Sequence, residues 1–175
     1  MSSSDVASIT LDALRSRITG VFPAQIRSAI EPLTDEQIWW RPNESSNSIG
    51  NLMLHLAGSV QLYLNKLHGG VEFTRDREAE FTERTHIAKG ELLARFDDVF
   101  ETAVRTFEKL TPEHLTTPSP VPSMHQFAVQ DLINIAAHIS THAGQIVWIA
   151  KALTGRSLDD VWMTSHREHG GWKKA

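Results

Sequence analysis

Residues 129–153 are the strongest constraint on the fold of this chain. The segment reads VQDLINIAAHISTHAGQIVWIAKAL and is closed by Gly155. Leu132, Ile133, Ile135, Ala136, Ile139, Ile146, Val147, Ile149 and Ala150 wrap nearly all the way round a helix. A helix apolar on most faces must be covered on most faces, so this one is expected to be surrounded by other helices, with Gly155 as its stop. Its few polar residues then need a reason to be there.

Three further segments carry helical periodicity. The first covers about 6–30, through Ile9, Ala13, Ile18, Val21, Phe22, Ile26 and Ile30, and Pro23 should kink it. Thr34 and Gln37 can cap a short helical turn. Arg41-Pro42-Asn43 then breaks the chain, and Ser46, Asn47 and Ser48 are N-cap candidates for a helix over about 48–68. Gly69-Gly70 ends it. Residues 71–87, which mix charges with a few aromatics, read as a surface connection. The third long helix covers about 89–110, with Leu92, Leu93, Phe96, Val99, Phe100, Ala103, Val104 and Phe107 on one face. Pro118, Pro120 and Pro122 make the following segment an extended loop. Four long helices without a strand array predict an all-α bundle. A single domain over 1–158 is expected, with a tail, 159–175, packing on the bundle or on a partner subunit.

Composition narrows the chemistry. The chain has no cysteine, so thiolate metal sites and cysteine nucleophiles are excluded. The net charge of −4 gives no attraction for a phosphate backbone, and a nucleic-acid partner is not expected. No stretch approaches the roughly 20 apolar residues of a membrane span, and the N-terminus has no basic, then apolar, leader pattern. No membrane association and a cytoplasmic location are the resulting expectations.

Among nine histidines, placement decides. His138 and His142 stand i, i+4 in HISTH, so both rings share one helix face and can reach one ion. The same spacing also occurs on surfaces. Asp131 and Gln145 lie on that face as possible partners of the rings, although an acid in the first turn also complements the helix dipole. His55, in NLMLHLAG, is either a hydrogen-bonded core histidine or a third ligand. His68, at a helix C-terminus where a cationic ring favours the dipole, and His86, His114, His125, His166 and His169 read as structural or solvated, with His125 able to border a site mouth. Three imidazoles suit zinc, nickel, iron or cobalt and leave a coordination position open.

WWRPNESSNSIGNLMLHLAGSVQLYL resembles the second-helix region of the DinB-like superfamily of small metalloproteins, and HISTHAGQIVWI resembles its fourth-helix H-x3-H. The resemblance spans nearly the whole chain in helix order. It implies an up-down-down-up four-helix bundle, often a homodimer, with a metal triad at His55, His138 and His142. It also implies a metal-dependent transferase acting on a small-molecule substrate with a low-molecular-weight thiol. The alternatives are a metal-dependent hydrolase, with Asp131, Glu44 or His125 as base, and a metal-binding bundle without turnover. A bundle with no metal, its histidines only packing, also stays open. Trp39, Trp40, Trp148, Trp162 and Trp172 are candidate interface anchors, core packing being the plainer reading of Trp148.

Overall fold

The computed structural model describes residues 2–84, 86–121 and 123–157, so the expected tail 159–175, with Trp162, His166, His169 and Trp172, lies outside the described residues. The described chain is helical, and its one β-type contact is an isolated bridge between Pro118 and Phe127. The helices are α1 (Ser3–Arg15), α2 (Phe22–Ile30), α3 (Asp35–Trp39), α4 (Ile49–Val60), α5 (Arg77–Thr82), α6 (Lys89–Lys109) and α7 (Ala128–Thr154).

Local chemistry sets most of the boundaries. Thr34 and Gln37 exchange side-chain and backbone hydrogen bonds at the start of α3, and Ser48 does the same with Asn51 at the start of α4. Gly155 closes α7 at φ 67°, a conformation without penalty for glycine. α1 and α2 are joined without a break by a π-helical stretch, Ser16–Val21, in which the Phe22 N–H reaches Arg17 O. Pro23, which has no N–H to give, sits at the start of α2. The wider π turn accommodates the missing bond, so helical structure runs unbroken through the proline. A second π stretch, Gln61–Lys66, extends α4.

The core lies where the long helices meet. Phe96, Phe100 and Leu92 of α6, Leu56 and Met53 of α4, Ile26 and Ile30 of α2, and Ile139 and Ile146 of α7 are all buried. Trp39 packs its ring against Gly50 near the start of α4 and donates its indole N–H to Ile87 O, just before α6. Farther along, Asn65 Nδ2 donates to Val99 O, and the Thr106 hydroxyl donates to Asn65 Oδ1. On the other side Arg27 of α2 pairs with Asp97 at 2.7 Å, and Lys89 Nζ donates to Glu31 O.

Two expectations change. The connection 71–87 is not simply surface: it contains α5, capped by the Asp76 carboxylate on Ala79 N, and α5 packs on α4. Its Glu80 is buried. α7 is not covered all round either. Ile133 is 53% exposed and Trp148 66%, so Trp148 is not a core residue. No helix among the described residues is long and apolar enough to cross a membrane.

Phe100 sits at the centre of the packed face of α6, against Phe96 at 4.4 Å between ring centroids. Phe100→Ala is expected to destabilise the fold by about 3–5 kcal/mol, since the cavity cannot collapse fully. A shift of the denaturant midpoint with an unchanged m-value measures it.

Candidate metal centre

His55 lies in the middle of α4 and is 6% exposed. His138 and His142 lie one turn apart on α7, on the face that meets α4. The fold therefore brings together the three histidines singled out in the sequence. One ring nitrogen from each can be chosen so that all three lie within 4.8 Å of one another, a spacing that could hold a metal ion. The rings are set edge to face, with centroids 5.0 Å apart for His55 to either partner and 4.6 Å for His138 to His142. That mutual tilt lets three lone pairs converge on one point instead of stacking the rings.

The outer nitrogens are already committed. His55 Nδ1 lies 2.9 Å from Glu80 Oε2, and His142 Nδ1 lies 2.7 Å from Gln145 Oε1. Both acceptors are oxygens, so in each case Nδ1 carries the proton and Nε2 keeps the lone pair. A carboxylate or amide behind a histidine fixes its tautomer and raises its basicity toward a ligand. Arg75 holds Glu80 with a fork, Nε to Oε1 at 2.6 Å and Nη2 to Oε2 at 2.8 Å. Its Nη2 also comes within 3.2 Å of His55 Nδ1. That contact brings two donors together, so Glu80 is the partner of both. His138 Nε2 is buried with no hydrogen-bond partner among the described residues. Such an orphan is costly unless something accepts the lone pair.

Electrostatics points the same way. Burial lowers the His55 pKa, against the opposing effect of its hydrogen bond to Glu80. Burial, followed by the neighbouring His142 and His55, lowers His138 to about 4. Neutral imidazoles are the form that ligates. Residues and group therefore fit: three imidazole nitrogen donors, no thiolate, and one buried lone pair without a partner among the described residues.

Of the two expected partners, Gln145 reaches the triad and Asp131 does not. Asp131 Oδ1 takes the His125 Nδ1 proton at 2.6 Å and the Ser119 hydroxyl at 3.0 Å. It lies about 10 Å of helix rise before His138, at 1.5 Å per residue. Glu80 and Arg75 were missed by reading the sequence. No local pattern marks them; in the fold Gly58, three residues after His55, leaves room for the Glu80 carboxylate, which a Cβ there would meet. His68 was misread as well. Its side chain is 1% exposed, its Nδ1 meets His114 Nε2 at 3.0 Å, and burial lowers its pKa to about 4. It is a neutral core group, not a cation on a helix dipole.

An open cleft of about 580 Å³ is lined by Gln145, the partner of His142, and by Thr141, Ser45, Asn47, Leu52 and Trp148; none of the three histidines lines it.

The low pKa values of His68 and His138 make stability depend on acidity. Both groups prefer to stay neutral when folded, so their contribution is complete above the unfolded value near 6.5. It is lost as pH falls from there toward 4, because the unfolded chain takes up the protons first. Metal-free protein should therefore lose unfolding free energy steadily between about pH 6.5 and 4. His68→Leu should flatten that slope, as read by urea melts across pH.

Comparison with known proteins gives one family and no closer relative. No curated protein and no solved structure matches the chain. A family model described as "Protein of unknown function (DUF1572)" matches residues 5–166. The chain thus belongs to the DUF1572 family, within the DinB-like superfamily.

Proposed function

We propose that His55, His138 and His142 bind one divalent transition-metal ion, and that the protein is a metal-dependent transferase using a low-molecular-weight thiol. The observation that carries the metal reading is the convergence of three imidazoles around the unpartnered, buried Nε2 of His138. A bound divalent ion would act there as a Lewis acid, lowering the pKa of a thiol or a water molecule. The chain's own part is to hold three imidazole nitrogens in place, with Glu80 and Gln145 locking the rings of His55 and His142. Three protein ligands leave room for a further one.

The choice between thiol transfer and hydrolysis turns on the carboxylates. Glu80 is committed to Arg75 and His55, Asp131 to His125 and Ser119, and Glu44 is exposed beside Arg41 at 3.6 Å. Neither buried carboxylate, Glu80 or Asp131, is free to act as a base beside the triad. This favours a nucleophile that arrives on a cosubstrate, as a thiol would, in a chain that has no cysteine of its own. The cleft beside Gln145 has space for a small-molecule substrate. Hydrolysis by an activated water is the second reading.

The same proposal includes an up-down-down-up four-helix bundle. Its support is the set of contacts along the helices. Early α4 meets the start of α6 through Trp39, and Asn65 meets Val99 and Thr106 farther on, so the two run in one sense. His55 meets His138 and His142 while His68 faces Asp131, so α7 runs against α4. A cytoplasmic homodimer completes the reading, supported by the exposed Trp148 and Ile133 on α7.

Purified, untagged protein should contain about one zinc, nickel, iron or cobalt ion per chain by elemental analysis. His138→Ala with His142→Ala should remove it. Glu80→Gln should keep the ion but weaken binding about 10- to 100-fold in chelator competition, because the ring of His55 loses its fixed orientation. No metal after incubation with zinc and nickel would overturn the proposal.

A further inference from the structure

Away from the triad, α7 carries a second constellation of titratable groups. Asp131 is 6% exposed and receives two hydrogen bonds on one oxygen, from His125 Nδ1 at 2.6 Å and from the Ser119 hydroxyl at 3.0 Å. His68 Nε2 faces its other oxygen at 3.6 Å. The loop that brings His125 here is itself tied down. His125 N donates to Val121 O, Ser119 N to Gln126 O, and Val121 N to Ser119 Oγ. Gln126 N and Phe127 N both donate to Gln130 Oε1 on α7.

The orientation of the imidazole follows. With Nδ1–H given to a buried carboxylate, Nε2 carries the lone pair. The His125 side chain is 20% exposed, and its Nε2 makes no hydrogen bond among the described residues and is not buried. His125 lines a cleft of about 420 Å³, together with Ser119, Ser123, Met124, Gln126 and Gln130. Among the described residues no Lys or Arg lines that cleft, which offers an anion no cationic partner there. Hydroxyls, amides and a thioether suit an uncharged molecule with a polar group.

We propose that His125, held by Asp131, is a metal-independent general acid–base site acting on an uncharged small carbonyl compound, such as an ester, bound in this cleft. His125 is the catalytic residue and Asp131 a positioning residue. In hydrolysis, the oxygen of a water molecule bonds to the carbonyl carbon while the water proton passes to Nε2. The C–O bond to the leaving group then breaks, and Nε2 returns the proton to the departing oxygen, leaving an acid and an alcohol. No redox partner is needed. The arrangement is that of a carboxylate-oriented imidazole base. It does not depend on the metal reading.

The test uses the full-length protein in excess EDTA with p-nitrophenyl acetate. Wild-type protein should hydrolyse it faster than an equal concentration of free imidazole. His125→Gln should lower the rate about tenfold or more. Asp131→Asn should lower kcat with little change in KM, whereas His86→Asn should leave the rate unchanged. Thermal melts identify any variant that fails to fold, and the wild-type protein supplies a check that needs no variant. Mapped by mass spectrometry, diethyl pyrocarbonate should modify His125 faster than His86. Hydrolysis no faster than imidazole, a wild-type rate in His125→Gln, or His125 reacting no faster than His86 would each overturn the proposal.

Discussion

The burial of His55 between α4 and α7 is the constraint that organises the site. An imidazole in an apolar seam must place both nitrogens or lose hydrogen-bond energy that the fold cannot spare. Its Nδ1 is answered by Glu80, and Glu80, itself a buried acid, is answered by the Arg75 fork. That chain of requirements explains why α5 folds down onto α4, why residue 58 is glycine, and why the connection before α6 is not free to drift. The inner side of the ring then faces His138 and His142, where no other group among the described residues completes the set.

α7 serves two separate centres with one helix. Its His138 and His142 join the triad, and two turns earlier Asp131 gathers His125, Ser119 and His68. Both centres keep their imidazoles neutral by burial where a shift is evident, and both tie distant segments of chain to the same helix. The difference lies in what remains unspent. In the first it is a buried Nε2 surrounded by other imidazoles, which suits an ion. In the second it is an accessible Nε2 backed by a carboxylate, which suits a proton.

How much of this the sequence displayed depends on the range of the interaction. The Thr34 and Ser48 caps and the Gly155 stop are set by neighbours within one turn, and they were legible. So was the pairing of His138 with His142, since helical spacing alone sets it. Gln145, three residues beyond His142, was legible for the same reason. Glu80 was not, because its partner is 25 residues away and only the folded contact tells it from the other acids of 71–87. Asp131 was placed on the correct face but given the wrong partner, since the proline-rich loop reaches it before His138 can. His68 shows the same limit: position suggested a dipole-stabilising cation, whereas packing made it a neutral core group.

The central claim is that three imidazole nitrogens hold one ion. X-ray absorption spectroscopy at the metal edge of zinc- or nickel-loaded protein tests it most directly. The account predicts three nitrogen scatterers at about 2.0–2.1 Å with the outer-shell pattern of imidazole rings. It also predicts the loss of one imidazole contribution in His55→Ala. An all-oxygen shell, or a spectrum unchanged by removal of His55, would contradict it.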